Sequence, residues 1–524
     1  MTMLYDLLLK GYFPKELPPP FRTESFANLI LSNLRSLPSD YSSGNVVALS
    51  CEHNIALSGM RRRKLGILNP IPMFRLCKGL YENWPELSRH IESSRISLSK
   101  PKQGGRVRRA FSPMYPPNSI SEFRAHCRLG KKYLLKTDIT NYYNSIYTHS
   151  IAWALNGKQE SKTNRSENLL GNKLDRLIRD CQSQQTVGIP TGPDTSFLLS
   201  EILLSAVDAK IMSKLSRSRI RDFYGFRYMD DYEFCFSNYN DSEIALNQID
   251  SALSEFELSL NSRKTIIKKL PAPLEEDWVR DLKIFEFRDN LIAQRNDIIS
   301  YFSRAFSLAE ENPDKSVLRY AIAKFRSIKI DINAWELLQD LLLNCVSCEP
   351  GTIQYVLEQF IKFSNSGYPI KLKELGYVLN DQINTHAPLN HGGEVAWTLW
   401  GAIVFEVPLH ANASELVSEM DDSVVALLAL DAEQRGYFEK DLRKDNWSQY
   451  SNKEGLYGDK WLLSYEANIN DWIPIAGRDH VNADSRFSYL KRNGVRFYDG
   501  SKCAKVIPEA TQSMHSARYN ISIQ

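Results

Sequence analysis

What this chain of 524 residues lacks narrows the field first. No run of about 18 apolar residues occurs, so neither a membrane-spanning helix nor a membrane partner is expected. The start, MTMLYDLLLKGYFPKELPPP, has acids and prolines where a secretory signal would carry a basic stretch and a small-residue cleavage site. Its LYDLLLKGYF reads instead as a helix packed on the body. Cysteine is sparse. Of eight, only Cys345 and Cys348 form a close pair, and no second pair stands at zinc-site spacing. That pair reads as reduced and partly buried at a helix end, and the scatter of the others fits a cytoplasmic location. Net charge is also small, +3 in all.

The charge is unevenly placed. Residues 51–136 hold 18 Lys+Arg against 5 Asp+Glu, residues 1–50 hold 4 of each, and residues 137–524 therefore carry about −10. A basic N-terminal third is either a polyanion track or a solvated face. Hydrophobic content of 43% and charged content of 24% belong to an ordinary folded chain, long enough for two or three domains.

Three parts are expected. Residues 1–136 read as N-terminal helices followed by a basic region of turns, short strands and a helix, with loops over 96–118 and a turn at Gly104-Gly105. Residues 137–290 read as α+β. KKYLLKTDI gives a buried strand ending at Asp138. GIPTG at 188–192 is a turn feeding a long helix, with Leu199, Ile202, Leu203, Ala206 and Ala209 on one face. FYGFRYMDDYEFCFS reads as a β-hairpin with Asp230 and Asp231 at its tip, followed by a helix over 241–257 and a strand–turn–strand in ELSLNSRKTIIKKL. Residues 291–524 are α-helical and solenoid-like, without a clean sequence period, and end in an aromatic capping subdomain.

Two adjacent aspartates in an aromatic hairpin repel each other and are costly to bury. A second carboxylate at the end of a neighbouring strand, Asp138, suggests what offsets them. Two Mg2+ ions, or Mn2+ in their place, want hard oxygen ligands and can serve both oxygens of a phosphoryl displacement. The bland alternative is a solvated turn.

KTDITNYYNSIY (136–147), GIPTG (188–192), YMDD (228–231) and LSLNSRKT (258–265) together resemble the successive palm motifs of reverse transcriptases, in order and spacing. NPIPMFRLCKGLYENW and TDITNYYNSIYTHSIAWALNGK are more narrowly similar to the abortive-infection and related antiphage bacterial reverse transcriptases. The resemblance spans about residues 55–285. It implies a right-hand fingers–palm fold followed by an all-α, helical-repeat-like domain. It also implies RNA-directed or non-templated DNA synthesis from dNTPs. Asp138, Asp230 and Asp231 would hold metal with the Ile139 carbonyl. Tyr143, with Tyr142 as the alternative, would select the sugar. Thr191 (in place of the usual Gln) and Gly192 would line the nucleotide pocket, and Lys264 would be the general acid. Arg108 and Arg109 would grip the triphosphate, and Arg61, Arg62 and Arg63 would touch nucleic-acid backbone. The group further implies an RNA template or dedicated non-coding RNA, a DNA product with protein priming, and a homo-oligomer, trimer or hexamer. The competing readings are an RNA-directed RNA polymerase, against which Tyr143 argues, and a catalytically silent nucleic-acid-binding scaffold.

Overall fold

Eight strands lie among the residues that the computed structural model describes (2–42, 45–104, 109–474 and 478–505). They are β1 (Cys51–Ala56), β2 (Arg62–Ile67), β3 (Pro101–Gln103), β4 (Phe111–Pro113), β5 (Tyr133–Asp138), β6 (Phe223–Tyr228), β7 (Asp231–Phe236) and β8 (Ile266–Lys269). β1–β2 and β3–β4 are separate antiparallel hairpins, and the other four form one antiparallel sheet in the order β6-β7-β5-β8.

The alternation expected of a sheet buried on both faces is plain in β5 and β7. Leu135, Tyr232, Phe234 and Phe236 join the main core, which also holds the buried side chains of helices Asp194–Arg217 and Tyr239–Ser254. Leu134, Cys235 and Phe226 point the other way, into a small core shared with Leu98 and with Ile120 and Cys127 of helix Ile120–Cys127. Two long helices therefore back one face of the sheet, and one short helix covers the other.

From Leu291 onward the described residues are helical: Leu291–Glu311, Val317–Lys324, Ile332–Cys348, Ile353–Asn365, Leu372–His386, Gly392–Phe405, Ala411–Ser418 and Ser423–Gln434, then shorter pieces. Aromatic layers join them, as where Trp335 stacks on Phe363 with centroids 4.3 Å apart. Cys345 is buried and Cys348 exposed on the last turn of Ile332–Cys348. No helix of the described residues is long and apolar enough to cross a membrane.

The change of architecture near residue 290 is not a break in packing. The helical part folds back on the N-terminal third and shares one hydrophobic core with it. Trp461 Nε1 donates to the Ile67 carbonyl (2.9 Å), Trp397 Nε1 to that of Glu16 (3.1 Å), and the Arg22 amide to that of Phe497 (3.0 Å). A buried His53–Asp422 pair (2.8 Å) lies along the same seam.

Candidate active site

The register of β6 on β7 pairs Tyr228 with Asp231, which leaves Met229 and Asp230 as a two-residue turn. Such turns need positive φ, and Met229 supplies it at +55°. β7 also pairs with β5, and there Asp231 stands directly opposite Asp138. The expected hairpin, strand and juxtaposition are thus all present, with three carboxylates at one end of the sheet.

Asp138 is 3% exposed. One of its oxygens is bound by the Lys264 ammonium, while Oδ1 is buried with no partner. Burial pushes the Asp230 carboxyl up to about 6, and neighbouring Asp231 and Asp138 add to the rise. Burial, then Asp138, raises Asp231 against the pull of Lys136. Burial opposes the charge on Lys264, but Asp138, Asp231 and Asp230 outweigh it and lift its ammonium above the ordinary lysine value. Three acids with Lys264 on one of them, Lys136 acting on another from farther off, and a buried oxygen left over are negative charge short of its complement. Hard divalent cations suit such a donor set. The three acids are not drawn tightly together: among the described residues only His386, His391 and Glu394 bring three such ligand atoms within 4.8 Å.

Ile139 is buried and bridges Leu260. Both bonds of that bridge belong to neighbours, Thr140 N–H to Ser259 and Asn261 N–H to Asp138 (each 2.9 Å), so it does not use the Ile139 carbonyl. Tyr142 is buried, with its hydroxyl on the Ser200 carbonyl at 3.2 Å. Tyr143 is half-buried, and its hydroxyl is pushed up to about 12 by burial, with Asp230 and Arg109 close enough to act on it. Of the two tyrosines, Tyr143 is the one beside the carboxylates.

The 188–194 loop is pinned from two sides. The Gly66 amide of β2 donates to the Thr191 carbonyl (2.9 Å). Gly192 has φ +125°, and a Cβ there would stand 2.6 Å from Pro14, so the position takes only glycine. Asp194, 1% exposed, then accepts from the Ala110 amide (2.6 Å), the Phe111 amide (3.1 Å) and the Arg109 guanidinium. Arg109 is therefore held over this loop by an acid that the sequence did not single out. Arg108 lies outside the described residues.

The three basic fingers residues separate. Arg62 grips both oxygens of Glu394 at 2.7 Å and also Asn54, so its fork is spent on joining β2 to helix Gly392–Phe405. Arg61 donates to Ser58 and to the Asp314 carbonyl. Arg63 is exposed. Of the three arginines expected at nucleic-acid backbone, Arg62 has its fork already occupied by Glu394 and Asn54. In the tight histidine cluster Glu394 is committed to Arg62 and the His386 and His391 Nδ1 atoms lie 3.0 Å apart, while His386 Nε2 is buried without a partner.

Sequence reasoning missed a second acidic group under the hairpin. Arg227, wholly buried, binds Glu201 (2.7 and 3.0 Å) and Asp208 (3.0 Å), both wholly buried on helix Asp194–Arg217. A signal existed. Glu201 and Asp208 lie seven residues apart, two turns along one face of an apolar helix, where acids need a cation.

An antiparallel sheet with paired acids at one end and helices behind defines a polymerase palm. Residues 98–280 match the family model of reverse transcriptase (RNA-dependent DNA polymerase), so the chain contains a reverse transcriptase domain, arranged as fingers and palm and followed by an all-α, repeat-like region. Among solved structures, apo telomerase from Candida tropicalis truncated of its C-terminal domain aligns at 16% identity and TM-score 0.30, covering 48% of this chain. This chain spans 56% of that one. Apo telomerase from Candida tropicalis aligns at 13% and TM-score 0.32, covering 72% of this chain and 73% of that one. Telomerase from Candida albicans in complex with a fragment of telomeric RNA aligns at 13% and TM-score 0.31, covering 79% and 66%. No curated protein matches the chain.

Proposed function

We propose that the protein is an RNA-directed DNA polymerase that adds dNTPs by phosphoryl transfer at Asp138, Asp230 and Asp231. The observation that carries this reading is the buried, unpartnered Oδ1 of Asp138, on a residue that stands opposite Asp231 in the sheet and beside Asp230, both of whose carboxyls burial raises above the usual range. Two bound divalent cations, Mg2+ by the hardness of the donors, would supply Lewis acidity at the attacking hydroxyl and the leaving oxygen. Asp138 and Asp230 would hold them, with Asp231 and the Ile139 carbonyl completing the shell. The Tyr143 ring crowds a ribose 2′-OH and so favours deoxynucleotides over the substrates of an RNA polymerase. Thr191 and Gly192 let backbone approach the base pair, and Arg109, swung from Asp194, takes the triphosphate. Lys264, already among the acids, gives a proton to the departing pyrophosphate. The exposed Arg63, with Arg61 beside it, would touch template backbone, as the motif resemblance implies.

The motif resemblance supports the finer reading: a cytoplasmic antiphage enzyme, working on an RNA template or without one, with protein priming and assembly as a homo-oligomer through the helical part. The test is to sequence nucleic acid that copurifies with the wild-type protein and with Asp230→Ala. DNA present only with the wild type is expected. The same DNA with both, or phage resistance untouched by the substitution, contradicts the reading.

A further inference from the structure

The turn that carries Asp230 is held by its backbone from below. Met229, with φ +55°, adopts a conformation that a long side chain rarely takes unless its surroundings over-determine it. Here both of its backbone polar groups are taken. Its amide donates to Ser99 Oγ at 2.9 Å, and its carbonyl accepts from Arg227 Nη1 at 2.9 Å. Ser99 in turn donates to Glu201 Oε1 (2.9 Å), and the same Arg227 nitrogen reaches that oxygen (2.7 Å). Asp208 holds the other side of the guanidinium and also accepts from the Tyr232 hydroxyl, two residues past Asp230 (3.1 Å). Ser99, Glu201, Asp208 and Arg227 are each wholly buried. The segment around Ser99 is fixed as well. The Arg227 backbone bonds to it on both sides, its carbonyl accepting from the Leu98 amide (2.8 Å) and its amide donating to the Ile96 carbonyl (2.7 Å).

We propose that Ser99 and Arg227, oriented by Glu201 and Asp208, are positioning residues: they clamp the strained Met229 peptide and thereby aim the Asp230 carboxylate. The assignment rests on Asp230 being a metal ligand. A purely structural ion pair would need the acids and the arginine, but not a serine accepting from the amide next to the ligand. Ser99→Ala removes that acceptor and leaves the Arg227 pairs intact, so the chain should still fold. Aim is lost instead, and small misplacements of a reacting group cost rate steeply.

The test measures dNTP incorporation by the full chain as Mg2+ is titrated, for wild type, Ser99→Ala, Ser99→Thr, Ser97→Ala and Asp230→Ala. Ser97 binds the same Glu201 (2.9 Å) and reaches Met229 only through Ser99, whose amide it accepts from at 3.3 Å, so Ser97→Ala should cost clearly less than Ser99→Ala. Ser99→Ala should lower kcat by ~10-fold or more with KM for dNTP little changed, and should raise the Mg2+ concentration for half-maximal rate. Ser99→Thr, which keeps the hydroxyl, should recover most of both. Wild-type kcat and Mg2+ midpoint in Ser99→Ala, or an equal loss in Ser97→Ala, overturns the clamp. Protection of the Met229 amide from hydrogen exchange, lost in Ser99→Ala, is read on the same samples; an unprotected wild-type amide also overturns it. An active Asp230→Ala sinks the polymerase site itself, which is a different failure.

Discussion

Two acidic clusters lie on either side of one short hairpin, and they are built on opposite plans. Below the turn, Glu201 and Asp208 share Arg227 in a fully buried pairing. Above it, Asp138 is paired with Lys264, whose side chain is 58% exposed, Asp230 and Asp231 have only the more distant pull of Lys264 and Lys136, and one buried oxygen has nothing. The lower cluster is complete without help and reads as architecture. The upper one asks for positive charge from outside. Counting acids does not tell the two apart; what distinguishes them is the compensation each one has.

The same substitution in both clusters breaks or sharpens that contrast. Arg227→Met leaves two carboxylates buried and unpaired and should cost about 3–5 kcal/mol of stability, read by urea unfolding. Lys264→Met should cost only about 1 kcal/mol, because the ammonium it removes is more than half in water, yet lower dNTP incorporation by ~100-fold through loss of the proton donor. A Lys264→Met protein that loses stability on the scale of Arg227→Met would erase the distinction. The smallest expected effect has the opposite sign. Asp230→Asn removes one of three repelling charges and should stabilise the cation-free protein by less than about 1 kcal/mol while lowering synthesis ~1000-fold. A loss of stability there would mean that the upper cluster is already compensated.

Much of the upper cluster was legible because its signals are local. Alternation around YMDD gives the hairpin, a short apolar run gives the strand ending at Asp138, and the Gly/Pro turn gives the start of the long helix. The family resemblance implies Tyr143 with Tyr142 as the alternative, and the two differ in burial, Tyr142 being buried and Tyr143 half-buried. The lower cluster needed a pairing across 26 residues between an arginine that looks like any hairpin residue and acids inside a nearly all-buried helix. The same holds for Asp194, whose three partners at Arg109–Phe111 sit more than 80 residues earlier, and for Arg62, whose Glu394 lies across 332 residues. The strand β1 was missed, and so was the return of the helical part onto it, because neither leaves a periodic trace in the chain. Charge alone suggested a basic track, but it could not say that one of its arginines is an internal tie.

The most direct measurement is incorporation of labelled dNTP and NTP by the purified full-length chain with Mg2+, beside Asp230→Asn at equal folded concentration. The account predicts incorporation of dNTP well above NTP by the wild type, ~1000-fold less with Asp230→Asn, and none in either after chelation of the cation. Equal incorporation by wild type and Asp230→Asn, or a preference for NTP, would contradict it.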